Sequence, residues 1–342
     1  MLQFTSKGIY CPVADIYIDP WRPVGKAVIT HAHSDHARFG MGSYLCSPPT
    51  APVLKLRLGS DIQVQTVPFG TIIDINGVKL SLHPAGHIWG SAQVRLEYKG
   101  EVWVVSGDYK LSPDGCSEPF ESVKCHSFIT ECTFGLPIYR FPEAQLVHEN
   151  INEWWEQNRL NGKNSLLLTY SLGKAQRVIR QLNPDIGPIY THGAVDNINQ
   201  LYLSLDGKLP PTTRITPDLS RKDIRGAMIV APPSVAGSSW MRSLQPLEWG
   251  ICSGWMQLRG ARRRRGSDRG FVLSDHADWD QLNEAVKASG AENIYATHGY
   301  KSAFSRWLNE AYGLNAVELE TEFTGESLEE SNNDTGKDYE GV

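Results

Sequence analysis

The chain has 342 residues, 41% of them hydrophobic, and a formal net charge of −5. That length accommodates one large core or two modest ones, and the composition excludes fibrous and wholly disordered classes. No apolar run approaches the ~20 residues of a membrane span. The start, MLQFTSKGIYCP, lacks the pattern of a secretory signal. The six cysteines (Cys11, Cys46, Cys116, Cys125, Cys132, Cys252) contain no C-x-x-C pair and read as reduced thiols, so a cytoplasmic protein is expected.

In chain order, the first half reads as short strands. Ile16-Tyr17-Ile18 and Ala27-Val28-Ile29 are apolar runs, each entering a polar loop. Thr71 to Ile75, Asn76-Gly77 and Val78 to Leu82 spell a hairpin, and Val94 to Tyr98, Lys99-Gly100 and Val102 to Ser106 spell another. From Glu143 to Asn158 the spacing of Leu146, Ile151, Trp154 and Trp155 predicts a helix. Leu166 to Tyr170 then reads as a buried strand leading into a helix over Lys174 to Leu182. Strand and helix alternate onward through Met228 to Ala231, Phe271 to Ser274, Asp280 to Ala288 and Ile294 to Thr297. The segment from Glu318 holds nine acidic residues against Lys337 alone, which leaves 32 basic and 29 acidic residues, net +3, in the preceding body. Residues 323–342 have too few apolar side chains to offset the entropy of ordering and are expected to form a mobile tail. One stretch, RGARRRRGSDR, is strongly basic through Arg259, Arg262, Arg263, Arg264 and Arg265.

The stretch ITHAHSDHARFG sets His31, His33, Asp35 and His36 in a loop directly after an apolar strand. His31 and His33, one residue apart, can face one point while Asp35 and His36 face a second. Imidazole and carboxylate donors suit zinc, manganese or iron(II). Four ligands cannot fill two coordination shells, so further donors are expected at other strand ends: His87 in PAGHIWG, Asp108 in VVSGDYKL and His298 in YATHGY. A carboxylate such as Asp108 can bridge two ions ~3.5–4 Å apart. His83, His126, His148 and His192 lack such settings and read as structural.

The order H-x-H-x-D-H, AGH, SGD and THG resembles the metallo-β-lactamase fold, a four-layer αβ/βα sandwich with a dinuclear site on one edge. The resemblance implies that His31, His33 and His87 hold one ion and Asp35, His36 and His298 the other, with Asp108 bridging and Asp19 bracing the ligand loop. Three more stretches resemble the β-CASP nucleases within that fold: Glu131 in ITECTFG, with Cys132 where small hydroxyl residues are common; His276 in LSDHADW; and YSLGKAQRVIRQL, where Ser171, the Gly173 amide and Lys174 are placed to take a phosphate. On this reading residues 1–145 and 270–322 form the metallo-β-lactamase core and 146–269 the β-CASP insertion. DPWRPVGKAVITHAHSDHAR and SGWMQLRGARRRRGSDRGFVLSDHADW, in a chain ending soon after the last histidine, are most similar to bacterial ligase-associated DNA exonucleases.

The resemblance implies a DNA exonuclease of repair, using two divalent ions (zinc or manganese) and a hydroxide nucleophile oriented by Asp35. His276, paired with Glu131, is expected to protonate the leaving sugar oxygen. The arginine run would track the phosphate backbone. By the same likeness a DNA ligase and a helicase are expected partners. A histidine at position 298 accompanies RNA substrates in the wider group, so an RNA-processing ribonuclease is the alternative. A small-molecule metallohydrolase would share the ligands but need neither insertion nor arginine run, and a metal-free subunit would have broken ligands.

Overall fold

The computed structural model describes residues 1–219, 224–258, 260 and 266–323. The chain divides into two compact units, one of Met1–Arg140 and Asp275–Gly325 and the other built on Phe141–Ser274. The expected boundaries fell at 145/146 and 269/270. Arg259, Arg262, Arg263, Arg264 and Arg265 lie outside the described residues, as does the acidic segment from 324 onward. Phe323, placed in the expected tail, is instead buried, because its ring has an aromatic partner inside the first unit.

The first unit opens with β1 (Gln3–Thr5), β2 (Gly8–Cys11), β3 (Ile16–Ile18), β4 (Lys26–Val28), β5 (Ser43–Cys46), α1 (Thr50–Leu58) and β6 (Val64–Thr66), and these six strands make one sheet in chain order. There follow β7 (Ile73–Ile75), β8 (Val78–Pro84), β9 (Ala92–Tyr98), β10 (Glu101–Val105) and β11 (Ser127–Cys132). Asn76 and Gly77 both take positive φ between β7 and β8, as a tight hairpin requires.

The second unit has α2 (Ala144–Leu160), β12 (Asn164–Leu168), α3 (Lys174–Arg180), β13 (Ile189–Thr191), α4 (Gly193–Ser204), β14 (Thr213–Arg214), β15 (Met228–Ala231), α5 (Ser239–Ser243), β16 (Leu247–Cys252) and β17 (Arg269–Phe271). Its sheet runs β14-β13-β15-β12-β16-β17, parallel at every pairing. Ile151, Trp155, Val178 and Ile179 from the helices and Leu167, Met228 and Val230 from the strands share one core, which explains the near-continuous apolar strands. The strand expected at Phe271 to Ser274 ends instead at Phe271.

The chain then returns to the first unit with α6 (Trp279–Ser289), β18 (Asn293–Gly299), α7 (Lys301–Tyr312) and β19 (Asn315–Glu318), completing a seven-stranded sheet ordered β19-β18-β11-β10-β9-β8-β7. One core joins the two sheets of this unit through Ile9, Ile18 and Val28 on one side and Leu80, Val94 and Leu96 on the other. A second core packs Leu282, Val286, Phe304 and Leu308 of α6 and α7 against Val104, Phe128 and Ile294. β10, β11 and β18 are mutually parallel and β8 shares their direction through antiparallel β9, so four carboxyl ends meet at one edge.

Leu96 is fully buried where the two sheets meet. Leu96→Ala is expected to destabilise this unit by about 2–5 kcal/mol, read from the denaturant midpoint at unchanged slope.

Candidate metal centre

The ligand loop leaves β4 and is held from three sides. Asp19, at the end of β3, accepts from the Thr30 amide (2.8 Å) and the Thr30 hydroxyl (2.5 Å), while its Oδ2 also meets His36 Nδ1 at 2.7 Å. The Ala37 amide donates to the His33 carbonyl, closing a turn around the motif. Arg57 of α1 donates to the carbonyl of Ala32, between His31 and His33. The Asp19 contact engages Nδ1 of His36 and so turns its Nε2 inward, a task metal-binding histidines assign to their outer partners.

The other donors arrive at the common edge: His87 just after β8, Asp108 just after β10, Glu131 inside β11 and His298 near the end of β18. His87 Nδ1 lies 2.9 Å from the Asp275 carbonyl and His298 Nδ1 3.1 Å from Thr297 Oγ1, so each ring turns its Nε2 toward the centre. Two glycines make the approach possible. Gly107 has φ +57 and a Cβ there would sit 2.6 Å from Thr30 Oγ1; Gly299 has φ +95 and a Cβ would collide with the Cys132 carbonyl. Register between β11 and β18 shifts between Thr130 and Cys132, beside His298. Cys132 Sγ donates to the His298 carbonyl at 3.1 Å, a role for the thiol that replaces the hydroxyl common in the resembled group.

Asp108 lies between two sets of histidines. Its Oδ2 is 3.4 Å from His31 Nε2 and 3.8 Å from His87 Nε2; its Oδ1 is 3.5 Å from His36 Nε2 and 2.9 Å from His298 Nε2. Donor atoms of His31, His33, His87 and Asp108 all fall within 4.8 Å of one another, and so do those of His36, Asp108 and His298. Asp35 joins the second set through His36, 3.6 Å from its Nε2.

Four of these buried atoms, His31 Nε2, His36 Nε2, Asp108 Oδ1 and His298 Nε2, have no well-aligned hydrogen-bond partner among the described residues despite their mutual proximity. Such groups cost about 1–3 kcal/mol each unless something satisfies them. A divalent cation fits because the donors are imidazoles and carboxylates converging on shared points. The charge distribution agrees. Burial and the neighbouring His36 hold His31 well below its ordinary pKa, and burial with His276 nearby lowers His87 to about 4, which keeps both imidazoles neutral for ligation. Burial opposes charge on His36, yet Asp35, Asp108 and Asp19 outweigh it and raise it to about 10, so the carboxylates draw positive charge to this spot.

His276 stands beside this cluster with Nδ1 3.0 and 3.1 Å from the Glu131 oxygens and 4.0 Å from Asp108 Oδ2. Burial disfavours its charged form, but Glu131 and Asp108 prevail and lift it to about 10. Glu131 is itself fixed by the Tyr109 amide (2.9 Å) and Thr133 Oγ1 (2.6 Å), and the Ala277 amide donates to the Tyr109 carbonyl (2.7 Å). Tyr109 thus ties the Asp108 turn to both members of the pair.

Ser171, Gly173 and Lys174 lie in the second unit, at the turn from β12 into α3, where the Gly173 amide donates to Gln176 Oε1 at 2.8 Å. Ser171 Oγ is buried with no hydrogen-bond partner among the described residues. Sequence reasoning missed Thr30, Thr133, the Asp275 carbonyl and Phe323; only Thr30, next to the motif, carried a local signal.

No family model matches the chain. It is 32% identical over 314 residues to a "Probable DNA ligase" of Opitutus terrae, covering 91% of this chain and 30% of that protein. It is 24% identical over 220 residues to an "RNase J-like protein" of Methanocaldococcus jannaschii, covering 56% of this chain and 52% of that one. The chain is a relative of the β-CASP nucleases. It spans about a third to a half of the length of these two relatives. A solved structure of a protein of unknown function from Enterococcus faecalis shares the fold, with TM-score 0.57 and 11% identity over 81% of this chain and 76% of that one.

If the cluster binds cations, the melting temperature rises with added zinc or manganese and falls with chelator; at 100 times Kd one site contributes about 2.7 kcal/mol. Asp108→Ala is expected to abolish most of this shift, because it removes a donor from both sets, and His33→Ala to remove only part.

Proposed function

We propose that this protein is a metal-dependent nuclease hydrolysing nucleic-acid phosphodiesters, with DNA as substrate, exonucleolytic action and a role in DNA repair. The observation that carries the reading is the Asp108 carboxylate, one oxygen toward each histidine set, with the His276–Glu131 pair next to it. The first unit's two joined sheets, one covered by α6 and α7, support a metallo-β-lactamase four-layer αβ/βα sandwich, with the second unit as the β-CASP insertion.

His31, His33, His87, His36, Asp35, His298 and bridging Asp108 would hold two divalent ions, zinc or manganese. Bound there, such ions supply positive charge for the phosphate oxygens and water acidified toward neutral pH. Asp35, beside His36 and held below the usual carboxylate range by His36 and His298 against the opposing effect of burial, stays ionised and can orient that water. His276 would hand a proton from Nε2 to the leaving sugar oxygen, since Nδ1 is engaged by Glu131. Glu131 fixes the ring and stabilises its charge.

DNA is favoured by the relative named a DNA ligase, which also motivates a ligase, and with it a helicase, as functional partners. RNA is the second reading, favoured by the relative named RNase J-like. Among the described residues no helix is long and apolar enough to cross a membrane. A cytoplasmic location accords with the cysteine usage.

End-labelled single- and double-stranded DNA and RNA, incubated with the protein in manganese and in zinc, test substrate and direction together; cleavage of thioesters or lactones with no nuclease activity would overturn the reading. His276→Ala is expected to retain both metals by elemental analysis and lose about 10²- to 10⁴-fold in rate. Replacing Arg262, Arg263, Arg264 and Arg265 with alanine is expected to weaken binding at all sequences and flatten its salt dependence. An unchanged slope would assign the run no contact with the polymer.

A further inference from the structure

We infer that Phe323 is a positioning residue that sets the plane of the His36 imidazole and thereby the second metal position. The inference rests on the two-metal reading above. Phe323 is 8% exposed and its ring lies parallel to that of His36, with centroids 4.4 Å apart and planes inclined by 7°. The same ring meets His298 edge-on at 5.9 Å and Trp21 edge-on at 5.5 Å. It therefore touches two imidazoles of one cluster, His36 and His298, which share Asp108 Oδ1.

The hydrogen bond that His36 Nδ1 donates to Asp19 locates that atom but leaves the ring free to swing about the contact. A flat partner against one face removes this freedom, while His31, 4.2 Å away and tilted by 43°, limits it from elsewhere. Two constraints of different kind, one on an atom and one on a plane, fix the direction in which Nε2 points. The apolar ring also keeps water from that face of His36.

Phe323 is itself anchored to the ligand loop. Glu322 pairs with Arg22 at 2.6 Å and with Arg38, two residues beyond His36, at 3.3 Å; Arg38 also donates to the Glu322 carbonyl at 3.1 Å. Both arginines donate in turn to the Trp21 carbonyl. Exposed ion pairs of this kind add little stability, but here they set the register of the chain, so that residue 323 arrives over His36. Lys301 holds the preceding turn through the Leu319 carbonyl and the Glu320 carboxylate.

The test uses the full chain and three variants, Phe323→Ala, Phe323→Leu and Phe323→Tyr, with metal content followed against graded chelator and the absorption spectrum of the cobalt(II)-loaded protein as a reporter of ligand geometry. Phe323→Ala and Phe323→Leu are expected to keep the first equivalent, to bind the second roughly 10- to 100-fold more weakly, and to change the cobalt spectrum; Phe323→Tyr, which restores a flat ring, is expected to recover both. Phe323→Leu retains apolar burial, so it separates stacking from packing if the alanine variant fails to fold. Wild-type affinity for both equivalents and an unchanged spectrum in Phe323→Leu would overturn the inference while leaving the two-metal reading intact. Failure of the wild-type protein to take up two equivalents would overturn that reading, and the inference with it.

Discussion

A carboxylate removed from water is costly unless charge or hydrogen bonds compensate it. Asp108 is buried, and His36, His298 and His276 hold it ionised against burial. The arrangement is reciprocal, since the same carboxylate helps to raise His36 and His276. A neutral residue at 108 would leave the surrounding imidazoles without their shared negative charge and the two histidine sets without a link. The turns, glycines and register shifts around it serve to bring one side chain to that point.

The edge where these donors meet is made by chain segments far apart in sequence. β4, β8, β10 and β11 come from the first part of the chain, and β18 pairs beside β11 only after the chain has built the second unit. Within β11, Glu131 faces His276, while Cys132 reaches the His298 carbonyl. One strand thereby couples the general-acid candidate to a metal-ligand candidate. The mutually parallel β10, β11 and β18 suit this, because such strands deliver their carboxyl ends, and the loops that follow, to one side.

Much of the secondary structure was legible. The Asn76-Gly77 hairpin and the helix carrying Trp154 and Trp155 have strong local signals, and both are present. The end of β17 was misplaced because Val272 and Leu273 are as apolar as strand residues but are buried outside the ladder. The donor types at His31, His33, Asp35 and His36 are legible from residue type and spacing. His87, Asp108 and His298 carry a similar signal, as ligand-type residues near the ends of apolar runs, and the structure brings them to His31, His33 and His36.

The sequence by itself determined the donor types and the glycines beside them, because converging donors need particular atoms and a chain that can turn sharply next to them. It also marked Glu131 and His276 through their motifs. What brings Glu322 to Arg22 across 300 residues, and so places Phe323 on His36, was decided by tertiary structure alone. A phenylalanine carries no local sign of whether its ring will meet an apolar core or an imidazole. Only the folded chain supplies the neighbour, and the same holds for the Asp275 carbonyl that orients His87.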